Sequence, residues 1–584
     1  MRLRGQLVRT LRALLAAAGG MLLVAAAPAD AAIFYVGAPG DRACDFTDIQ
    51  AAIDHVRGVP GHDVIRLTAR DYMQQALVID DEDGLSLVGY YDECANPTSV
   101  GLRLWLHGAG GAQAPIISVR GGGTVKLHFL ELWGNTEGKG LEVDCEGCTV
   151  QLLDVGVRWN AQGVTVSTAN CVGNCTVPAR LIVNDRVDVI ENHFVGDVGV
   201  NGAGIAVQAA VLDMSHAPGS QVSDNVAKWD GGGIWLGHRA SGRVAVPVFN
   251  NTAGRDGGGI AVVHGSTLLL YPTSSKSVPK LVDNEAAFHG GGLYVEDAWL
   301  EPGSSVIGWD AAFEANRAEH GGAVYVKSLI GGPARLCLRS LATVPEADSP
   351  CPERAPRDAV SCPDSGLCNA IVDNLAEYFG GAVMSSGAHT QVHLSHQLVT
   401  SNIGWSVLGH YDGGGQTSEE ALVRIDDSLV ARNQPAFATV LNRFAPRTIV
   451  RRSTVADNDA IAFYLDDSPD FELSESVVWE PGEASLFRGG TSGADLVRMV
   501  LASEVDSLGP APDVQAVADP RFMSSGDYRL REDSPAVDFS DSATVQPDLA
   551  GRARGVDLPG VFDLYGPADL GAYERQPVPI VTSP

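Results

Sequence analysis

The stretch from Val222 to Met384 decides the fold. It holds five copies of one pattern, which read VSDNVAKWDGGGIWL, VFNNTAGRDGGGIAV, LVDNEAAFHGGGLYV, FEANRAEHGGAVYV and IVDNLAEYFGGAVM. Each copy runs from an apolar residue to an asparagine, then to a glycine pair and a short apolar strand. The asparagines are Asn225, Asn251, Asn284, Asn316 and Asn374, at steps of 26, 33, 32 and 58 residues. A repeat of about this length is typical of a solenoid.

The repeat unit indicates which solenoid to expect. Each copy has a short strand after the glycine pair and no ten-residue helical pattern, which excludes helical arrays. We therefore predict an all-β fold, a right-handed parallel β-helix, in which equivalent residues of successive coils stack about 4.8 Å apart. Stacked asparagine side chains can then bond to one another along the axis. The glycine pair permits the positive-φ bend that each coil needs at one corner.

The asparagine-to-diglycine pattern resembles the repeat of the polymorphic outer membrane proteins, which occurs in pectin-lyase-like β-helices. It covers roughly residues 190–460, with weaker copies at Asn192, Asn402, Asn433 and Asn458. The resemblance implies a secreted or surface-displayed β-helix and implies no particular reaction.

The N-terminal 31 residues combine a basic start, the apolar run ALLAAAGGMLLVAAA and the small-residue site Ala29-Asp30-Ala31. This pattern predicts a signal peptide cleaved after Ala31. Residues 32–99 are expected to form an N-terminal cap and the first coils, with an amphipathic helix from Asp48 to Val56 covering the open end of the bore. Residues 100–505 are expected to form the β-helix, with a cysteine-rich insertion at 327–369.

The C-terminal region, residues 506–577, resembles the choice-of-anchor Q domain of secreted bacterial β-helix proteins. The resemblance is carried by the segments DPRF, GDYRL, DSPAVD, DLAGR and DLGAYE, which begin at Asp519, Gly526, Asp533, Asp548 and Asp569. It implies a C-terminal capping module, followed by a short tail at 578–584. Asp527 and Asp538 belong to this pattern, in which we expect them to fix turns.

An exported chain would meet an oxidising compartment, so its ten cysteines favour disulfides. Cys44 and Cys94 are expected to bridge the N-terminal cap. Three arrangements remain open for the two similar motifs 145–148 and 171–175: bridges across coils, bridges within each motif, or a four-cysteine zinc site. Two further bridges would hold the insertion. The remaining cysteines concerned are Cys145, Cys148, Cys171, Cys175, Cys337, Cys351, Cys362 and Cys368.

The formal net charge of -30 argues against a nucleic-acid partner, because like charges repel. It is compatible with a solubilising surface or with calcium binding through carboxylates; no other cofactor is indicated. After the signal peptide no stretch reaches the 18 or more apolar residues that would span a bilayer. We expect a monomer that is secreted or displayed at the cell surface, associated with the outer membrane or held in the periplasm.

The residue before each glycine pair supplies the sharpest candidate site. Asp230, Asp256, His289 and His320 should line up on one corner, where carboxylates and imidazoles could bind a metal ion; the alternative is a polar, solvent-facing corner. The catalytic candidates are Arg424, Asp426 and Asp427, which could supply the charged groups that a lyase or glycosidase needs; the alternative is an ordinary coil in which the strand turns at Asp426-Asp427-Ser428. Aromatic residues in or beside the repeat strands could stack on sugars, or could instead serve packing and edge protection; these are Trp229, Trp235, Tyr294, Tyr325 and Tyr378.

Long stacked faces carrying regularly repeated groups suit an extended polymer. We therefore predict an adhesin-like scaffold that binds a polysaccharide, another glycan or an envelope component, with binding favoured over catalysis. The alternative is a polysaccharide lyase or glycoside hydrolase, which the pectin-lyase-like fold also hosts. Both predictions on function rest on the fold alone.

Overall fold

The computed structural model describes residues 31–577 apart from several internal segments. Those segments are 58, 95–101, 110–112, 169–176, 194–199, 275–277, 298–302, 330–331, 344–348, 350, 352, 361–367, 412–420, 444–446, 469, 492–494, 510 and 543. The expected signal peptide before Ala31 and the tail from residue 578 therefore lie outside the described residues, as do Cys171, Cys175 and Cys362.

The chain forms a parallel β-helix, as the repeats predict. Each regular coil contributes one strand to each of three faces, and every strand pairs in parallel with its equivalent in the next coil. In the coil that begins at Asn225, Ile234–Gly237 lies on the third face, Ser241–Val244 on the first and Pro247–Phe249 on the second. Alternate residues point into the bore, where a continuous aliphatic core runs from Val36 to Val514.

The strands of the first and second faces belong to one sheet of 28 strands, because four long strands bend from one face into the other. The first face comprises Ile33–Val36, Asp63–Thr68, Leu85–Tyr91, Arg180–Val183, Val211–Met214, Ser241–Val244, Thr267–Leu270, Ser305–Trp309, Arg335–Arg339, Gln391–Ser395, Leu422–Asp426 and Arg447–Arg451. The second comprises Tyr72–Gln75, Leu104–Gly108, Asp188–Ile190, Gln221–Ser223, Pro247–Phe249, Lys280–Val282, Ala312–Glu314, Ala370–Val372, Leu398–Thr400, Leu429–Ala431, Thr454–Ala456 and Val514–Ala516. The shared strands are Thr124–Trp133, Thr149–Arg158, Phe471–Trp479 and Asp495–Ala502.

The third face follows the glycine pairs, and very short strands follow several of the asparagines. The third face comprises Leu77–Ile79, Ile117–Val119, Lys139–Asp144, Gln162–Ser167, Ile205–Gln208, Ile234–Gly237, Ile260–Val263, Leu293–Glu296, Val324–Lys327, Val383–Ser386, Ile403–Tyr411, Gln434–Arg443, Ile461–Ser468 and Phe487–Thr491. The short strands are Val226–Ala227, Thr252–Ala253, Glu285–Ala286, Arg317–Ala318 and Leu375–Ala376.

A buried column of asparagines runs along the axis between the second and third faces. From Asn160 to Asn433 each side-chain amide donates to the Oδ1 of the next asparagine, at 2.9 to 3.1 Å. The same Oδ1 also accepts the backbone N–H of the preceding asparagine, so each coil is tied twice to the next. The members are Asn135, Asn160, Asn192, Asn225, Asn251, Asn284, Asn316, Asn374, Asn402, Asn433 and Asn458.

The column ends on a carboxyl group. Glu480 accepts the backbone N–H and the side-chain amide of Asn458, each at 2.7 Å, and its side chain is buried. Burial raises the pKa of Glu480 to about 8; the Asn458 hydrogen bonds oppose this shift, and the charges of Asp457 and Asp459 add to it.

The N-terminal helix α1, Ile49–Val56, closes the first coil as expected. The Asp48 side chain caps it by accepting the Ala51 N–H at 2.8 Å, and Ile49, Ala52, Ile53 and Val56 are buried in the bore core. The disulfide between Cys44 and Cys94 ties this cap to the early coils.

The structure resolves two further questions about the cysteines. Cys145 bonds to Cys148 within its motif, so the cross-coil and zinc alternatives do not hold for this pair. Cys337 bonds to Cys351, and Cys368 is disulfide-bonded as well. Because Arg335–Arg339 is a regular first-face strand, the insertion leaves the coil only after Arg339, later than residue 327.

The C-terminal module does more than close the bore. The first part of the module closes the end of the bore, because Leu508 and Val514 belong to the bore core. The rest, which includes the antiparallel hairpin of Phe522–Ser524 and Asp527–Leu530, packs along the outside of the second face. There Tyr528 and Ala572 contact Leu429, Ala431 and Ala456, which lie on successive coils.

Candidate ligand-binding surface

The corner between each asparagine and its glycine pair carries a row of side chains that follows the axis. Backbone hydrogen bonds set the order: the N–H of Arg255 donates to the Trp229 carbonyl at 3.1 Å, and the N–H of Phe288 donates to the Arg255 carbonyl at 2.9 Å. Further along, the N–H of Trp405 donates to the Tyr378 carbonyl at 2.5 Å. Equivalent positions therefore stack coil on coil, about 4.8 Å apart.

Five aromatic side chains on this corner are exposed. We call them the aromatic row; its members are Trp229 (42% exposed), Phe288 (47%), Tyr378 (43%), Trp405 (49%) and Phe437 (40%). The rings of Tyr378 and Trp405 are 6.2 Å apart, and His320 stacks on Tyr378 at 5.4 Å. A solvated strip of this kind on a rigid scaffold is typical of an interaction surface.

The four proposed metal ligands lie one position behind the row, and they do form a column. Asp256 pairs with His289 and His289 with His320 along the backbone, and the rings of the two histidines stack at 5.8 Å. The Nδ1 of His289 lies 2.6 Å from Oδ1 of Asp256. Burial raises the pKa of Asp230 to about 6; the Arg255 guanidinium, 3.8 Å away, opposes this shift.

This column does not converge on one point. Among the described residues, three ligand atoms within 4.8 Å of one another occur only in two groups elsewhere, at Asp41 with Cys44 and Cys94 and at Asp538 with Asp557 and Asp563. The side chains of the column instead contact one another: Asp256 bonds to His289, and His289 stacks on His320. Phe379 extends the stack beyond His320, with ring centroids 5.9 Å apart, so the column supports the aromatic row from behind.

Three aromatic residues named from the sequence are not available for stacking. Trp235, Tyr294 and Tyr325 project outward from the third face but are only 6%, 2% and 7% exposed, because they pack on one another and under the corner. The His289 ring lies 4.3 Å from the ring of Tyr325. Of the five residues named, Trp229 and Tyr378 are the exposed ones.

A shallow groove of about 430 Å³ begins where the aromatic row begins. Two of its bordering residues meet the first member of the row and its neighbour: the Val200 carbonyl accepts the Trp229 N–H at 3.2 Å, and Oδ1 of Asn201 accepts the Asp230 N–H at 3.2 Å. Its lining is rich in hydrogen-bonding side chains, namely Lys139, Gln162, Thr165, Ser167, Gln208, His238 and His264. The groove and the row thus form one surface with a polar end and an aromatic end.

A larger depression of about 710 Å³ lies near the N-terminal coils, beside Arg70, Arg103 and Trp105. Arg103 forms ion pairs with Glu131, Asp154 and Asp188 at 3.3, 2.9 and 2.7 Å. Its charge is therefore neutralised by the coil itself, and we give this depression less weight than the repeating corner.

The catalytic candidates are buried structural groups. Arg424, Asp426 and Asp427 are 1%, 2% and 1% exposed. Asp426 accepts hydrogen bonds from Arg424 and from Nε2 of His393, at 2.5 and 2.8 Å. These interactions hold the pKa of Asp426 far below its usual range, although burial opposes them. In this state the carboxylate is inaccessible to a polymer.

Asp427 joins the C-terminal module to the β-helix. Its carboxylate accepts hydrogen bonds from Nε and Nη2 of Arg452, both at 3.0 Å. The same carboxylate forms an ion pair with the guanidinium of Arg554, which belongs to the module, also at 3.0 Å. The side chains of Asp427 and Arg554 are each 1% exposed. Sequence reasoning missed this role, because the partner of Asp427 lies 127 residues away.

None of the described helices is long and apolar enough to cross a membrane. Comparison of the chain with models of known protein families gives no match, and comparison with curated proteins gives none either.

Proposed function

We propose that the protein is a secreted or cell-surface scaffold whose aromatic row and adjoining groove bind an extended glycan, in the manner of an adhesin. The observation that carries the proposal is the exposure of five aromatic side chains on one corner of stacked coils. Aromatic faces pack against the apolar faces of sugar rings, and the polar groove offers hydrogen bonds to hydroxyl groups.

The negative net charge of the protein favours a neutral glycan over an anionic one. At -30 the chain repels anionic polymers over long range, so a neutral glycan of the cell envelope or of a host surface suits it better. The disulfides fit export to an oxidising compartment. The proposal includes a signal peptide, repeats of the polymorphic outer membrane protein type and a C-terminal module of the choice-of-anchor Q type. All three are typical of exported proteins.

The test is a glycan array probed with the mature full-length protein, followed by affinity measurements on the best neutral glycan. Trp405→Ala and Tyr378→Ala should each weaken binding roughly fivefold, since a stacked ring contributes on the order of 1 kcal/mol. Trp159→Ala is the matched control, because Trp159 is 52% exposed outside the aromatic row. Unchanged affinity in the row variants, or an equal loss in the control, would contradict the proposal.

The alternative, a polysaccharide lyase or glycoside hydrolase, has a separate readout. Incubation of the protein with uronide-containing and neutral polysaccharides would show unsaturated products or new reducing ends if it cleaves them. Such products would transfer support from the scaffold to the enzyme, although Asp426 and Asp427 would still be unavailable as the acid and base.

A further inference from the structure

Three aspartates of the C-terminal module meet at one point. Asp538, Asp557 and Asp563 each offer a carboxylate oxygen, and these oxygens all lie within 4.8 Å of one another. The backbone fixes the arrangement: the Asp538 N–H donates to Oδ1 of Asp569 at 2.9 Å, and the Asp538 carbonyl accepts the Leu564 N–H at 2.9 Å. Asp563 is thus held beside Asp538 through its neighbour in the chain.

The Asp538 carboxylate is buried and has no partner within the described part of the chain. The residue is 0% exposed, and neither Oδ1 nor Oδ2 makes a hydrogen bond. An unsatisfied buried acceptor costs about 1–3 kcal/mol, and more when it is charged. A fold that places both oxygens there therefore gains if something else supplies positive charge.

The two other carboxylates leave the point open to solvent, because Asp557 and Asp563 are both exposed. Burial raises the pKa of Asp538. The nearby Leu558 N–H opposes this shift, although it does not form a regular hydrogen bond with either oxygen, and the charges of Asp563 and Asp557 raise the pKa further. Three carboxylates this close repel one another unless a cation lies between them. An ion could enter from the exposed side and reach the buried oxygens.

We propose that Asp538, Asp557 and Asp563 bind a calcium ion. The ligands are all oxygens, which suit hard cations better than zinc, and calcium accepts irregular geometry with six to eight oxygens where magnesium requires a near-ideal octahedron. The other three-residue group, Asp41 with Cys44 and Cys94, is not a rival because its two cysteines form a disulfide.

Calcium would fasten a loop to the module. Asp557 and Asp563 lie on residues 555–565, which form no helix or strand and expose Phe562 by 82%. The ion would join this loop to the buried Asp538. An affinity of about 10⁻⁴ to 10⁻³ M would match other extracellular calcium modules.

The experiment titrates CaCl₂, and MgCl₂ in a parallel run, into the metal-free, full-length mature protein at about 150 mM NaCl, a salt concentration that screens loose surface binding. Isothermal calorimetry and the melting temperature are recorded for the wild type, Asp557→Asn, Asp563→Asn and the control Asp541→Asn. These substitutions affect exposed residues, so the variants should fold. We expect a saturable site and a higher melting temperature with calcium in the wild type and control.

We expect the affinity to fall at least tenfold in Asp557→Asn and in Asp563→Asn. The proposal is overturned if the wild type shows no saturable heat, if magnesium binds as tightly as calcium, or if Asp541→Asn loses affinity as much as the other two. Because the measured ligand is the ion alone, the result is independent of glycan binding.

Discussion

Asn458 donates two hydrogen bonds of 2.7 Å to Glu480, one from its backbone N–H and one from its side-chain amide. Glu480 thus takes the place that the next asparagine would fill, and the column of amides ends on a carboxyl group. The asparagine column and the Glu480 carboxyl group at its end can therefore each be tested by a single substitution.

The first prediction concerns the middle of the column. Asn284→Ala removes the oxygen that accepts both the backbone N–H and the side-chain amide of Asn251. The buried backbone N–H is left unsatisfied, and the amide keeps only its bonds to the carbonyls of Val222 and Phe249. We expect the free energy of unfolding to fall by about 2–5 kcal/mol, measured by chemical denaturation. Asn250→Gly is the control, because Asn250 is exposed and its φ of 54° suits glycine. Equal losses in both variants would show that the column adds nothing.

The second prediction concerns pH. The pKa of Glu480 rises from about 4.5 in the unfolded chain to about 8 in the fold, so the unfolded state loses its proton first as pH increases. The contribution of Glu480 to stability should be full below about pH 4.5 and decline up to about pH 8. Glu480→Gln should remove this decline, seen as a smaller difference in melting temperature between pH 5 and pH 8. Glu532→Gln, at an exposed site, should keep the wild-type difference.

The third prediction concerns the attachment of the C-terminal module. Asp427→Ala leaves the buried guanidinium groups of Arg452 and Arg554 without their shared carboxylate, which should cost about 3–5 kcal/mol. Limited proteolysis should then release fragments of the module earlier than in the wild type. Arg552→Met, at an exposed site of the same segment, should leave the digestion pattern unchanged. A module in Asp427→Ala that resists protease as well as the wild type would refute this role.

The fourth prediction concerns the corner bend. Gly257 has a φ of +69°, and a Cβ there would lie 2.6 Å from the Ile260 carbonyl oxygen. Gly257→Ala should therefore destabilise the protein by at least 1–2 kcal/mol, roughly. Gly482→Ala is the control, since nothing lies within 4 Å of its Cβ position. We expect the melting temperature to fall in Gly257→Ala and to stay at the wild-type value in Gly482→Ala. Equal melting temperatures in the two variants would contradict the prediction.

The β-helix was predictable because its determinants repeat locally. Asparagine, glycine pair and apolar strand recur at coil spacing, and the cap helix has both its N-cap Asp48 and its apolar stripe in one short segment. The column was found from Asn192 onward but not at Asn135 and Asn160, neither of which is followed by a glycine pair. A search for an asparagine followed within five residues by any glycine would have included both.

The surface was less predictable, because exposure depends on what covers each side chain. Trp235 and Trp229 are six residues apart, yet one is 6% exposed and the other 42%. Trp405 and Phe437 were missed since their coils lack the glycine pair. Likewise, Arg424, Asp426 and Asp427 have the residue types of an active site, and only their distant partners show that they are structural.

The module that packs along the outside of the second face also affects how the molecule comes apart. A stack of coils in which each touches only its neighbours can fray from its ends, one layer at a time. Tyr528 and Ala572 pack against Leu429 and Ala431 of one coil and against Ala456 of the next, so the module ties two successive coils together from outside. The final layers should therefore open together or not at all, and pulling on the C-terminus should meet one large barrier in place of several small ones.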